Sequence, residues 1–127
     1  MLHRIFKMTS VLTLSFVVMG LFVAPKSADA QVTAFKQAVA EAAARDIDIA
    51  AFYQAYGYKS VWTGRSSRER SRRQALIKTL ANASSHGLPA GRYDSAGLQA
   101  KMKAARGPRE RGTVEVEISR VFLQYAR

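Results

Sequence analysis

Five arginines crowd one short stretch, at Arg65, Arg68, Arg70, Arg72 and Arg73. Each guanidinium carries a planar fork of donors that matches phosphate and carboxylate oxygens. Such a run can therefore contact an anionic polymer or lipid surface, or it can be the solvated first turns of a helix. Other residues able to do chemistry are sparse. His86 is the only histidine after residue 30 and the sequence has no cysteine. That leaves no means of building a His/Cys metal cluster, a disulfide or a thiolate nucleophile. The carboxylates after residue 30 are Glu41, Asp46, Asp48, Glu69, Asp94, Glu110, Glu115 and Glu117. Most stand at helix starts or in i, i+4 pairs, where their role is structural. Asp46 and Asp48 are spaced as a helix cap rather than as an acid/base dyad, and no glycine-rich phosphate loop is present. The inventory gives no catalytic residue, no metal site and no cofactor, and it disfavours a self-contained enzyme.

The meaning of the arginines depends on the compartment. Residues 1–30 have the three parts of a secretory signal: a basic start with Arg4 and Lys7, an apolar stretch from Met8 to Ala24, and the small residues Ala28 and Ala30 flanking Asp29. Cleavage is expected before Gln31. A spanning helix is the alternative, but the apolar run is short and breaks at Pro25. The expectation is an exported, periplasmic protein that meets the membrane only transiently, through its signal. The whole chain has a net charge of +11, and residues 1–30 account for three bases and one acid of it, leaving +9 on the exported part. Outside the cytoplasm, anionic cell-wall polymer or lipid is a more plausible counterpart than nucleic acid.

Residues 31–127 suit one small domain and are too few for two. The elements that must position the arginines read as helices. Val32, Phe35, Val39 and Ala42 recur at helical spacing, and Asp46 or Asp48 caps a second start leading to Ile49, Phe52, Tyr53 and Tyr56 on one aromatic face. That face reads as core rather than as a stacking platform for sugars or bases. Gly57 ends this helix, and Tyr58 to Trp62 reads as a short extended piece. Ser66-Ser67-Arg68-Glu69 matches a capping box, so a helix starts within the arginine run, burying Leu76, Ile77, Leu80 and Ala83 and pairing Glu69 with Arg73. It ends at His86-Gly87. Ser95 caps a short helix carrying Leu98, Met102 and Ala105, which stops at Gly107-Pro108. In the last segment Val114, Val116 and Ile118 alternate like a strand, but Val114, Ile118, Val121, Phe122 and Tyr125 fit a longer helix, which is preferred. The fold expected is mainly α, with about four to five helices.

Three stretches, "IAAFYQAYGYKSVW" (Ile49 to Trp62), "ALIKTLANASSHGLPAGRYD" (Ala75 to Asp94) and "VEISRVFLQYAR" (Val116 to Arg127), resemble in order and spacing the N-terminal scaffold region of the large periplasmic murein L,D-transpeptidases. The matching positions are Phe52, Tyr53, Gly57 and Trp62, then His86, Gly87, Leu88 and Tyr93, then Leu123, Tyr125 and Ala126. Pro89 departs from the family's usual Asp-Pro after Gly-Leu. In that family a peptidoglycan-binding module and a cysteine-bearing catalytic domain follow. The resemblance therefore implies a non-catalytic scaffold tied to peptidoglycan cross-linking and cell-wall biogenesis, incomplete at residue 127, with peptidoglycan or the missing domains as partners. None of the matched residues is catalytic in the family. The alternative is a secreted basic binding module that works through Arg65 to Arg73.

Overall fold

The computed structural model describes residues 27–127, so the basic start and apolar core of the expected signal lie outside the described residues. Five α-helices appear in chain order: α1 Ala28–Ala43, α2 Ile47–Ala55, α3 Ser67–Ala81, α4 Ser95–Ala104 and α5 Pro108–Ala126. Two 3₁₀ turns, Ala83–His86 and Ala90–Arg92, link α3 to α4, and there is no strand among the described residues. The fold is mainly α, as the periodicity predicts.

The starts of the helices follow short-range chemistry. Asp46 Oδ1 accepts from the Asp48 and Ile49 amides, both at 3.1 Å. The capping box at α3 is present in full: Ser66 Oγ accepts from the Glu69 amide and Glu69 Oε2 from the Ser66 amide, each at 3.2 Å. Asp94, not Ser95, caps α4, its Oδ1 accepting from the Gly97 amide at 2.8 Å. With its longer reach Asp94 captures that amide from one residue further back, and Ser95 becomes the first helical residue. At α5, Pro108 occupies the first turn, where a missing N–H costs nothing, and Glu110 Oε2 accepts from the Arg106 and Gly107 amides at 2.8 Å. Those two bonds, the Gly107 one first, hold the Glu110 carboxyl below its ordinary pKa.

α1 begins three residues before the expected cleavage point, with Ser27 Oγ accepting from the Ala30 amide at 3.3 Å. Residues 28–33 are exposed, so α1 grips the rest of the chain only further along, through Ala38, Val39 and Ala43. Val32, expected on the buried face, is 53 % exposed.

The long α5 is the spine. On one side Leu76, Leu80, Ala83, Tyr93 and Leu98 pack with Trp62, Val114 and Ile118; on the other Val39, Ala43, Ile49 and Tyr53 pack with Val116. Val61 packs against both clusters, so the segment between α2 and α3 joins them. α1 comes so close to α5 that a Cβ on Gly112 would stand 2.7 Å from the Phe35 carbonyl oxygen and 2.8 Å from Ala38 Cβ. Only glycine permits that approach.

The aromatic face of α2 divides. Ile49 and Tyr53 are buried, but Phe52 and Tyr56 are 48 % and 45 % exposed and stack on each other with centroids 5.6 Å apart. Four positions at i, i+3, i+4 and i+7 cover a broad arc, and α1 and α5 cover only its Ile49/Tyr53 edge.

Candidate functional site

Where α2 ends the chain takes two consecutive left-handed residues, Gly57 at φ 67° and Tyr58 at φ 55°. Glycine adopts this freely, while a tyrosine pays about 1 kcal/mol for it. The Tyr58 amide closes back on the Tyr53 carbonyl at 2.8 Å, which turns residues 59–64 across α5.

There they meet Glu115, a fully buried carboxyl group. Its Oε1 accepts from the Val61 amide at 2.6 Å, the Trp62 amide at 3.1 Å and the Tyr53 hydroxyl at 2.9 Å. Its Oε2 accepts from the Trp62 amide at 3.2 Å, and from the amide and hydroxyl of Thr63, both at 2.8 Å. Three consecutive backbone amides thus form a concavity of the kind that binds anions, and the anion is the chain's own side chain. A buried carboxylate without partners would cost several kcal/mol, whereas hydrogen bonds to a charged group contribute about 1.5–3 kcal/mol each; five donors on two oxygens put the balance on the stabilising side.

A second chain of bonds runs beside it. Trp62 Nε1 donates to Ser119 Oγ at 2.9 Å, and Ser119 Oγ lies 2.7 Å from the Tyr53 hydroxyl. Tyr53 has one proton and gives it to Glu115, so Ser119 is the donor to Tyr53 and the acceptor from Trp62. Burial, and secondarily the neighbouring Glu115 charge, push the Tyr53 phenol well above its ordinary value despite the opposing Ser119 bond. It stays protonated throughout the useful pH range.

The arginine run completes the clamp from outside. Arg72 Nη1 donates to the Val61 carbonyl at 2.6 Å, while Arg73 Nη1 donates to the Trp62 carbonyl and, at 2.7 Å, to Gly64. Arg70 bonds the Arg65 carbonyl, and Arg65 and Arg68 are exposed. The five arginines therefore split: Arg72 and Arg73 fasten the 61–64 segment, and the other three face solvent. The expected Glu69–Arg73 pair is not an ion pair. Glu69 instead takes the Ser60 and Ser66 hydroxyls; burial raises its pKa, but those bonds, the Ser66 amide and the Arg73 charge outweigh that and hold it below the ordinary carboxylate value.

The clamp shapes an apolar groove of about 330 Å³ between α2 and the end of α5, lined by Ile49, Phe52, Val61, Trp62, Phe122 and Leu123. An exposed ion pair, Arg127 to Asp48 at 3.0 Å, stands at its rim. Of the other residues singled out in the sequence, Tyr93 is buried, donates to the Gln124 carbonyl at 3.2 Å and meets Tyr125 edge-on with centroids 5.7 Å apart. Leu88 is half-buried against the same cluster. Gly87 takes φ 76° to end the 3₁₀ turn, and His86 is exposed beside it. Among the described residues no three His, Asp or Glu side chains gather as a metal site would require, and no helix is long and apolar enough to cross a membrane.

Glu115, Ser119 and Gly112 are the residues that sequence reasoning missed. Glu115 looks like its neighbour Glu117, but it precedes Ile118 by three and Ser119 by four, which puts it on the buried stripe of α5. That placement was the available signal.

A family model described as Scaffold domain matches residues 47–127. The chain belongs to this family. No curated protein and no solved structure matches the chain significantly. The scaffold-domain match begins at the first residue of α2 and includes every member of the Glu115 clamp, the two aromatic pairs Trp62–Phe122 and Tyr93–Tyr125, and the apolar groove. α1 lies outside the match although it supplies Val39 and Ala43 to the core.

Proposed function

We propose that this scaffold domain is the non-catalytic helical part of a periplasmic murein L,D-transpeptidase, exported by a cleaved signal and serving peptidoglycan cross-linking. Its role is to hold a rigid apolar groove against the peptidoglycan-binding and catalytic modules. One observation carries the reading: residues from the three family-like stretches meet in the fold. Tyr53 and Trp62 from the first converge on Ser119 in the third, and Tyr93 from the second packs on Tyr125 in the third. The sequence contains no cysteine, so this chain does not supply the thiolate on which that family's transfer reaction depends. Phe52 and Phe122, both a little under half exposed where they line the groove, are the side chains a docked module would cover.

The test is calorimetric titration of the full chain with separately produced peptidoglycan-binding and catalytic modules of an L,D-transpeptidase. The reading expects binding to at least one of them, weakened about tenfold or more by Phe52→Ser with Phe122→Ser. No binding to either module, or binding indifferent to both substitutions, contradicts it. The N-terminal mass of the exported protein checks the signal separately, with Gln31 as the expected first residue.

A further inference from the structure

One turn before Glu115, α5 carries a charge with no such company. Arg111 Nε is buried without a hydrogen-bond partner, and none of the ion pairs among the described residues involves Arg111. A buried guanidinium nitrogen left unpaired is costly, and cations so placed ordinarily face a carboxylate or an anionic ligand.

Arg111 lines a cleft of about 470 Å³ between α3, α4 and α5. Four more cations line it, Arg70, Arg73, Lys78 and Lys103, and no aspartate or glutamate does. Arg73 gives hydrogens to neutral carbonyls and forms no ion pair; its charge reaches Glu69, but the Glu69 oxygens bond Ser60 and Ser66 instead. Five like charges around one hollow repel one another unless an anion enters. The cleft is not wholly polar, since Ile77 and Met102 line it and are half-buried against the core. Its volume is in the range of small-molecule sites. On the far side, Arg111 also lines a cleft of about 430 Å³ with Lys36 and Lys59, again without an acid.

We propose that this cleft binds a phosphate monoester bearing an apolar substituent: Arg111 and the two lysines hold the phosphate, and Ile77 and Met102 receive the apolar part. Arginine forks suit phosphate oxygens, and lysines add point charge. The site is separate from the groove between α2 and α5, and it stands or falls independently of module docking.

The experiment titrates the full chain with octyl phosphate below its micelle concentration, with inorganic phosphate and octyl glucoside as comparisons and vesicles containing phosphatidic acid as a separate arm. Two double variants remove the same net charge, Lys78→Gln with Lys103→Gln inside the cleft and Arg65→Gln with Arg68→Gln outside it; all four side chains are exposed, so folding is spared. Octyl phosphate should bind at least tenfold tighter than either comparison, and the lysine pair should weaken it about a hundredfold against less than threefold for the arginine pair, each lost charge-assisted bond contributing roughly tenfold. Arg111→Met should weaken it at least tenfold. No binding of octyl phosphate, equal losses in the two double variants, or binding to vesicles alone overturns the proposal.

Discussion

Arg111 and Glu115 lie one turn apart on α5 with opposite charges, and the rest of the chain treats them in opposite ways. Glu115 receives five donors from α2 and the 61–63 segment, whereas Arg111 Nε is a buried donor with no acceptor. Their i, i+4 spacing would suit an ion pair, yet Glu115 has both oxygens filled from elsewhere. A carboxyl group that needs nothing from outside is architecture, and a cation left wanting is where an outside anion is to be sought. The difference shows that burial of charge alone does not mark function; the state of its hydrogen-bonding capacity does.

The sharpest way to break the comparison is to remove each charge in turn. Glu115→Ala leaves three amides and two hydroxyls without their acceptor and is expected to cost about 3–5 kcal/mol in denaturant unfolding. Arg111→Met keeps most of the aliphatic bulk and removes an unsatisfied donor, so it should shift stability by less than about 1 kcal/mol. Comparable losses from both would erase the distinction.

Next in size is the helix approach that carries Glu115 to its partners. Gly112→Ala gains about 1 kcal/mol of helix propensity but drives a methyl into the Phe35 carbonyl. Overpacking costs about 1–3 kcal/mol, and with the Phe35 carbonyl at 2.7 Å and Ala38 Cβ at 2.8 Å the upper end applies, so the net change should be destabilising by about 2 kcal/mol in thermal unfolding.

Tyr53→Phe removes the hydroxyl between Ser119 and Glu115 and should cost about 1–3 kcal/mol at neutral pH. Its pH dependence sharpens the assignment. The folded Tyr53 phenol is raised above its unfolded value of 10.0, so the stability it adds is fully present below pH 10 and is lost as pH rises beyond. The gap between the parent and Tyr53→Phe should therefore narrow in alkaline denaturation series. Ser66→Ala, at the edge of the clamp, should cost about 1 kcal/mol. Glu69 is held below 4.5, so its contribution is present above that pH and fades as pH falls through its lowered value; the Ser66→Ala gap should shrink there.

Much of this was legible in the chain because it rests on near neighbours. The Ser66/Glu69 box, a cap at Asp46 or Asp48, the Gly57 stop and the Leu76/Leu80 stripe all depend on residues within four positions of one another, whereas the helix expected to reach His86-Gly87 ends at Ala81 and passes into a separate 3₁₀ turn before Gly87. The exposure of Phe52 and Tyr56 was not legible, because helical spacing tells which residues share a face but not how much of it a neighbour covers. Nor was the role of Glu115, whose partners are backbone amides more than fifty positions away and carry no side-chain signature. The arginine run shows both limits in one place: its capping start could be read directly, but the capture of the Val61, Trp62 and Gly64 carbonyls by Arg72 and Arg73 needed the fold.

The central claim is that Glu115 pins the 61–63 segment to α5. Residue-resolved amide hydrogen exchange tests it most directly, read at Val61, Trp62 and Thr63. The account predicts that these three amides, though outside any helix, exchange only as slowly as the buried helical amides of Leu80 and Ile118, and that Glu115→Gln releases all three together. Exchange as fast as that of the exposed Arg65 amide in the parent chain would contradict it.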